Sequence, residues 1–461
     1  MLVADAFRGN LAVVNSMTHD VESVHDSGAH NIRGLALSND GQELLVSHQV
    51  LNDAAFPRRS DIIWGVMINN MFRTAKLVDV LQGKPGAIYS GRTFSVGYAG
   101  QGAGDPDSLF VDQSGRVITA LAGVDEVSIQ EPDSTAALRI GVGRRPIDLL
   151  PLNEGRFIVL NELSDSLTMI DTTKKAVGKA DDDTTSAASY PSDSKASSYD
   201  SKYEKNRDQK SEAEYIYDAA ASTYNRDYLD ADVFTSHLSL GPVPKSGPAE
   251  RGEQLFFSAR LSHASWFSCH SCHVDGHTNG GRSDTFGDDT TGAPKRVLSL
   301  LGVGETGPWG WNGKKSTLPE QIHQSASSTM RGRGISDTSS SDIAAFLKTL
   351  QPPPPYEPAA TPVDHAQVSD GRRLFDSLNC IDCHTGTTLT SSDVYDVGLE
   401  DERGLRHFNP PTLRGVGYRE KLFHDKRANS LEEVFTKFEH QLERQLTEAE
   451  LAALLRYLRS L

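Results

Sequence analysis

The four cysteines constrain this chain more than any other feature, because all of them fall in two copies of one short motif. The copies are Cys269-His-Ser-Cys-His273 and Cys380-Ile-Asp-Cys-His384, and no cysteine is left for a structural disulfide. On a helix, cysteines at i and i+3 share a face and a histidine at i+4 lies beside them. Cys-x-x-Cys-His is the attachment signal of c-type haem. We therefore predict two covalently bound haems c, with these binding residues: Cys269, Cys272, His273, Cys380, Cys383 and His384.

Each motif lies inside a duplicated helical unit, which argues against a chance match. The first unit begins at Ala249-Glu-Arg-Gly and ends with Asp342-Ile-Ala-Ala-Phe-Leu; the second begins at Asp370-Gly-Arg-Arg and ends with Leu451-Ala-Ala-Leu-Leu. A zinc site, the main alternative, needs four protein ligands. A proline run at 352–355 joins the units, and such a run cannot continue a helix. The sequence thus predicts two all-α cytochrome c-like haem domains in tandem, with His273 and His384 as the proximal iron ligands.

The residue opposite each iron decides the chemistry, since a sixth ligand sets the potential and an open position admits oxygen species. Met330 is the one methionine in the helical half, and it follows His273 by 57 residues (330 − 273). It lies in the glycine-rich segment Ser327-Ser-Thr-Met-Arg-Gly-Arg-Gly334. Met330 is therefore the predicted sixth ligand of the first haem; a core methionine is the alternative.

No methionine is available to the second haem. His440 follows His384 by 56 residues (440 − 384), nearly the offset of Met330 in the first unit. The matched offset makes His440 the candidate ligand, and a solvated surface histidine is the alternative reading. His407 and His424 are rivals, and His424 could instead hydrogen-bond a haem propionate.

Residues 1–173 are predicted to be β-structure with an internal repeat. Three stretches share an apolar strand, a turn closed by Gly41, Gly115 or Gly155, and a second strand. Glycine supplies the positive φ that such turns need. The spacing of 40 residues between the last two glycines (155 − 115) fits one propeller blade; the spacing of 74 between the first two (115 − 41) fits one blade with a long loop, or two short ones. We expect a partial β-propeller, with a β-sandwich as the alternative.

The composition changes beyond the β-region. Residues 174–215 are rich in Lys, Asp, Ser and Tyr and lack apolar periodicity, which is typical of a disordered or solvated insert. A partner-binding tail is the functional alternative. The string beginning at Val233 is typical of a strand. The predicted order is 1–173 β-propeller blades, 174–215 polar insert, 216–245 end of the propeller or linker, 246–350 first cytochrome c domain, 351–364 proline-rich linker and 365–461 second cytochrome c domain.

Charge and apolar runs limit the partners and the location. The net charge is −16, which disfavours nucleic acid, because phosphate binding needs a basic surface; an acidic face could steer a basic redox protein. No apolar run reaches the roughly 18 residues of a membrane span. Haem attachment takes place outside the cytoplasm, so a periplasmic or otherwise exported protein is expected. Met1 is not followed by a signal peptide, and we expect the sequence to start within a longer precursor that also supplies further blades.

Three strings in the helical half have counterparts in a known family. They are Trp309-Gly-Trp-Asn-Gly-Lys-Lys-Ser-Thr-Leu-Pro-Glu-Gln321, Asn409-Pro-Pro-Thr-Leu-Arg-Gly-Val and Phe423-His-Asp-Lys-Arg-Ala-Asn-Ser-Leu-Glu-Glu433. With them, residues 246–461 resemble the bacterial di-haem cytochrome c peroxidase family, which includes MauG. The β-region resembles the YVTN type of propeller.

This resemblance implies roles for particular residues. Trp311 would lie between the haems and carry electrons, and packing of the domain interface is the alternative. Gln321 is a further catalytic candidate. In several members of the family a calcium ion lies between the domains, so calcium is a candidate cofactor beside the two haems.

The chain also departs from the family. The family places an acidic residue beside the first unit's methionine for general acid/base work, whereas Thr329 precedes Met330 here. The loop at 284–292 has no histidine where the family has a distal one. The family's second methionine position corresponds to Phe438, close to His440. These departures concern peroxide chemistry and leave the di-haem scaffold intact.

The leading hypothesis is a redox enzyme of the cytochrome c peroxidase/MauG type, which reduces peroxide or a related small oxidant with electrons from a small donor protein. One alternative is a non-catalytic electron-transfer cytochrome in which both irons are six-coordinate. The other alternative is a propeller-based binding protein whose haems relay electrons.

Overall fold

The computed structural model describes residues 1–132, 134, 136–153, 155–174, 233–242 and 246–461. Within these ranges antiparallel sheets extend as far as Ser239, and mainly helical structure begins at Pro248. Apart from Lys174, the polar insert predicted at 174–215 lies outside the described residues, as do residues 216–232.

The strands of the first part form four antiparallel sheets in the described residues, one of three strands and three of four. The first sheet contains β1 Leu2–Ala4, β2 Asn10–Val14 and β3 Val21–Asp26; the second β4 Leu35–Leu37, β5 Glu43–Leu51, β6 Ile68–Lys76 and β7 Thr93–Ser95; the third β8 Pro106–Val111, β9 Val117–Leu121, β10 Glu126–Gln130 and β11 Ala137–Gly141; the fourth β12 Pro146–Pro151, β13 Arg156–Asn161, β14 Ser166–Asp171 and β15 Phe234–Ser239.

The glycine repeat marks the same hairpin in three sheets. Gly41, Gly115 and Gly155 each stand in the turn between the first two strands of a sheet, with φ of 69°, 82° and 70°. The 74-residue spacing holds one sheet, whose connections contain the short helices α1 (Arg59–Ile63) and α2 (Leu77–Leu81). That spacing therefore corresponds to one four-stranded sheet with long connections and not to two short sheets.

Each sheet is a simple meander, because strands that follow one another in the chain are hydrogen-bonded neighbours. The first strands of successive sheets lie against each other, β4 against β8 and β8 against β12. Burial alternates along β13, as expected of a strand with one face on a core. In the described residues the sheets do not close into a ring.

The second part consists of helices joined by long loops. The helices are α3 Pro248–Phe256, α4 Cys269–Cys272, α5 Leu318–Gln324, α6 Asp337–Leu347, α7 Pro362–Ser377, α8 Leu431–Thr436 and α9 Glu448–Arg459. Two short β-hairpins depart from the all-α prediction. One is formed by β16 Arg282–Ser283 and β17 Lys295–Arg296, and the other by β18 Tyr395–Asp396 and β19 His407–Phe408. None of the helices in the described part of the chain is long and apolar enough to cross a membrane.

The same helix crossing occurs in both units. The first helix of each, α3 or α7, packs on the last, α6 or α9. A glycine stands at each crossing: a Cβ on Gly252 would lie 1.9 Å from the Asp342 carbonyl oxygen, and one on Gly371 would lie 2.1 Å from the Ala453 carbonyl oxygen. Only glycine permits so close an approach of two backbones. The two Gly-containing strings of the sequence thus mark equivalent positions.

Candidate haem centres

The first motif is held in a short, well-capped helix. Ser268 is the N-cap of α4, and its hydroxyl oxygen accepts a hydrogen bond from the Ser271 backbone N–H at 3.3 Å. In return the Ser268 backbone N–H donates to Ser271 Oγ at 2.9 Å. This reciprocal capping box satisfies two N-terminal donors of the helix. It fixes Cys269 and Cys272 one helical turn apart, as two thioether bonds to one haem require.

The second motif adopts a looser turn. Cys380–Asp382 form a 3₁₀ helix, and Asn379 before them has a φ of 59° with no side-chain cap. Ile381 and Asp382 are exposed, whereas the corresponding His270 and Ser271 of the first motif are buried. The two motifs therefore share their sequence pattern and differ in their surroundings.

Both motif histidines have one ring nitrogen fixed. His273 Nδ1–H donates to the Leu298 carbonyl oxygen at 2.9 Å, and His384 Nδ1–H donates to the Leu389 carbonyl oxygen at 3.2 Å. A histidine held in this way carries its lone pair on Nε2, the form that binds a metal. Burial lowers the pKa of each imidazole to about 4, so both stay neutral at physiological pH. The geometry fits two proximal iron ligands.

The pKa of the thiols differs from that of a redox Cys-x-x-Cys pair. Burial raises the pKa of Cys269 and Cys272 to about 12 and that of Cys380 to about 11. A catalytic Cys-x-x-Cys pair needs a lowered pKa, because the thiolate is its reactive form. Within the described ranges, no group of three or more His, Cys, Asp or Glu is placed to hold a metal ion. The raised pKa of the thiols argues against a redox Cys-x-x-Cys pair.

Met330 lies on the first motif's side of the molecule. It is 4% exposed and belongs to a buried cluster with Trp266 and Phe267, against which Cys269 and Cys272 pack. It caps a π-helical turn, Ser325–Thr329, and Arg331 after it has a φ of 52°. π-turns and left-handed non-glycine residues concentrate at functional sites. Met330 therefore lies beside the first motif, the one that contains His273.

His440 lies within electrostatic range of His384. Burial lowers the pKa of His384, its hydrogen bond to the Leu389 carbonyl oxygen opposes that shift, and the charge of His440 lowers the pKa further. Its ring stands 5.4 Å from that of Phe423, edge to face. The residues on either side, Glu439 and Gln441, have φ of 43° and 55°. The half-buried imidazole of His440 is thus held in a turn of left-handed residues, and such residues concentrate at functional sites.

The two rival histidines differ in exposure. His407 is exposed on β19. His424 is 2% exposed and stacks on Phe408 at 4.3 Å, and its Nε2 is buried with no hydrogen-bond partner in the described residues.

Trp311 lies at the contact between the two helical units. Its indole N–H donates to the Arg296 carbonyl oxygen of the first unit at 2.9 Å. Its own carbonyl oxygen accepts from the Asn409 N–H of the second unit at 2.8 Å. Phe408 and His424 of the second unit approach the indole edge to face at 6.4 and 6.3 Å. The side chain therefore bridges the two units, as an inter-haem relay would.

The catalytic candidate Gln321 and the position of Thr329 both lie in the first unit. Gln321 is half-buried on α5, and its Nε2 donates to Ser325 Oγ at 3.3 Å, one turn before Met330. Thr329 stands where the family has its acid, and its hydroxyl donates to the Thr285 carbonyl oxygen at 2.7 Å. At position 329 this chain therefore has a neutral hydroxyl in place of the family's acidic side chain, and the hydroxyl proton is already used in a hydrogen bond.

A pair of arginines is a feature that sequence reasoning missed. Arg296 is buried and Arg419 half-buried, and neither forms an ion pair in the described part of the chain. Burial, and for Arg296 also the charge of Arg419, lowers their pKa to about 9 and about 10. Uncompensated buried cations call for an anion. Together with the unpartnered Nε2 of His424, they fit a group that brings carboxylates into the protein, as haem propionates do.

The chain is thus a fusion of antiparallel sheets with a duplicated helical pair, in which each helical unit is built around a haem c motif. A model of the family described as di-haem cytochrome c peroxidase matches residues 248–362. Cytochrome c551 peroxidase of Nitrosomonas europaea is 23% identical over 292 residues, which cover 51% of this chain and 87% of that protein. The helical half is therefore similar to the di-haem cytochrome c peroxidase family, and the match to the family model falls on residues 248–362.

Solved structures with low-level likeness cover the same share of the chain. Hydrazine synthase of Kuenenia stuttgartiensis gives a TM-score of 0.41 at 20% identity, over 48% of this chain and 89% of that one. A MauG-like protein associated with microbial copper homeostasis gives 0.37 at 21%, over 48% and 90%. The dihaem peroxidase BthA of Burkholderia thailandensis gives 0.36 at 16%, over 47% and 86%. These TM-scores are low, and the likeness carries no functional weight.

Proposed function

We propose that this chain is an exported di-haem c-type redox enzyme that reduces peroxide or a related small oxidant with electrons from a small donor protein. The observation that carries the proposal is the pair of motif histidines, His273 and His384. Each follows its two cysteines and has Nδ1 tied to a backbone carbonyl. Haem c, once bound, supplies irons that pass on single electrons and, where a position is open, bind oxygen species.

Different residues would attach the haems and neutralise their charges. Cys269 and Cys272 attach the first haem, and Cys380 and Cys383 the second. Arg296 and Arg419 neutralise propionates, which would otherwise be costly to bury. A calcium ion between the units is a further prediction, which metal analysis of the purified protein checks.

Electron passage between the units depends on Trp311. Its contacts with Arg296 on one side and Asn409 on the other hold the ring across the interface. On this proposal, replacement of Trp311 by Phe slows inter-haem electron transfer and leaves both haems attached.

The second candidate function, electron transfer without a substrate, is favoured by the two ligand candidates. Met330 is buried beside the first motif, and His440 lies beside His384. With both side chains on the irons, neither iron would be open. A peroxide-reducing haem would need one of these positions free, and Thr329 would offer no carboxylic acid for general acid/base work.

We also propose that the four sheets are blades of a partial β-propeller. The contacts of β4 with β8 and of β8 with β12 support this, because the innermost strands of neighbouring blades meet in a propeller. A propeller-based binding protein with a haem relay is the remaining alternative. It fails if deletion of residues 1–240 leaves partner binding and turnover intact.

Electron paramagnetic resonance on the fully oxidised and the half-reduced protein, with peroxide turnover measured on the same samples, tests the enzyme proposal. A high-spin ferric signal in either state, together with turnover, is the expected result. Two low-spin signals in both states and no turnover would exclude the enzyme and leave the electron-transfer cytochrome.

A further inference from the structure

The sheet-rich part makes a direct contact with the first haem motif through one buried carboxylate. Asp105 precedes β8 and is 3% exposed. Its Oδ2 accepts from the Ser268 hydroxyl at 2.5 Å, and its Oδ1 accepts from the Ser271 hydroxyl at 2.5 Å. These serines are the two members of the capping box of α4. Asp105 thus holds the helix that carries Cys269 and Cys272 from outside the helical unit.

The two hydrogen bonds favour the ionised form of Asp105. Each serine hydroxyl already accepts a backbone N–H, from Ser271 or from Ser268. Each hydroxyl then has a single proton to donate, and both protons go to the carboxylate. Burial raises the pKa of Asp105, and the two hydroxyl bonds oppose that rise. Protonation of Asp105 would weaken one of the two bonds, because the carboxyl oxygen that takes the proton becomes a poorer acceptor.

The negative charge of Asp105 acts on the first haem motif, and no salt bridge in the described residues neutralises it. In the described residues Asp105 forms no ion pair; Arg145 and Arg33 act on it only at longer range. After burial, its charge is among the causes that raise the pKa of both motif thiols. A negative charge in a low-dielectric site favours the more positive state of a nearby centre. For a haem iron that state is the ferric one.

Further contacts hold the same segment. His30 Nε2–H donates to the Ser271 carbonyl oxygen at 2.9 Å, and Asn70 Nδ2 donates to the Trp266 carbonyl oxygen at 2.8 Å. Asp105 itself has a φ of 56°, a strained conformation for a non-glycine residue that the surrounding bonds maintain. The equivalent of Ser268 in the second unit, Asn379, has no side-chain cap. The arrangement is therefore specific to the first centre.

We propose that Asp105 is a positioning residue through which the sheet-rich part fixes the first haem motif and lowers the reduction potential of the haem held there. The proposal rests on the haem binding proposed above. It gives the N-terminal sheets a function in the redox chemistry: they set the first haem apart from the second.

A spectroelectrochemical titration of the full-length protein with Asp105→Asn tests the proposal. Asparagine keeps the shape and removes the charge, so the wave of the first haem shifts to higher potential while that of the second stays in place. Asp148→Asn is the matched control, because Asp148 is an exposed carboxylate of the same part, bonded to Ser108, and neither wave should move. The waves are assigned in a Cys380→Ser, Cys383→Ser background, which retains the first haem alone.

The outcomes distinguish failure of the Asp105 proposal from failure of the proposed function on which it rests. Failure of the unaltered protein to hold two haems, measured by intact mass, contradicts the proposed function. Two attached haems with unchanged potentials in D105N overturn the role of Asp105. If D105N does not accumulate, the Ser268→Ala, Ser271→Ala double variant decides, with reduced occupancy of the first haem relative to the second expected. Equal occupancy and an unchanged spectrum would overturn the positioning role.

Discussion

The two helical units share one sequence plan and differ in what surrounds the haem motif. The first motif has a capped helix whose serines bond to Asp105 of the sheets, whereas the second has a 3₁₀ turn with exposed intervening residues. Met330 lies near the first motif, and His440 lies near His384. The comparison teaches that a duplication can keep its scaffold and still make two unlike redox centres.

The largest effect comes from removal of one cysteine pair at a time. Cys269→Ser with Cys272→Ser, or Cys380→Ser with Cys383→Ser, should each remove one haem and about half of the haem absorbance. The first pair packs against Trp266 in the junction with the sheets, so its loss should also weaken that junction. Intact mass and limited proteolysis measure both effects. Equal proteolysis of the two variants would remove the distinction between the centres.

The next largest effect is a loss of stability at the helix crossings. It should be equal in both units, because the crossings are the feature that the two units share. Gly252→Ala and Gly371→Ala each place a Cβ about 2 Å from a carbonyl oxygen of the facing helix. The crossings must open, at a cost of about 1–3 kcal/mol or more in each unit. Denaturant unfolding of the haem-loaded variants measures it. A large loss in only one unit would show that the crossings are not equivalent.

Spectral changes should distinguish the sixth ligands. Met330→Ala is expected to alter the spectrum of the first haem alone, and His440→Ala that of the second alone, because each candidate lies beside a different motif. Low-temperature absorbance and paramagnetic resonance report the change. His407→Ala serves as the control, since His407 is exposed on β19. If both spectra survive Met330→Ala, the ligand assignment of the first haem is wrong.

The smallest effect concerns the caps of the two motif helices. Asn379→Gly should change stability by only a few tenths of a kcal/mol, because glycine accepts its φ of 59° without strain. Ser268→Ala should cost about 1 kcal/mol or more, since it removes a cap and leaves Asp105 short of a donor. Thermal unfolding of the two variants gives the comparison. A larger loss for Asn379→Gly would reverse the account of which motif is held more firmly.

The sequence predicted those features that repeat along the chain. The glycine turns at 41, 115 and 155 located the first hairpins of three sheets, because a turn is a local property. The paired offsets of Met330 and His440 selected two side chains that lie on the sides of their own motifs. The haem ligands themselves remain predictions that rest on motif and geometry.

The features that could not be predicted join distant parts of the chain. Asp105 and Ser268 are 163 residues apart, and neither sits in a pattern that points to the other. Arg296 and Arg419 belong to different units and act on each other only through their charges in the folded chain, and two isolated arginines carry no periodicity. The hairpins β16–β17 and β18–β19 are two residues per strand, too short for the alternation by which strands are recognised.

The most direct test is a redox titration of the full-length chain, produced with c-type haem maturation and checked by intact mass. The account predicts two covalently bound haems and two separate one-electron waves, because the residues that surround the two motifs differ. A protein without covalent haem, or two haems that titrate as one wave, would contradict it.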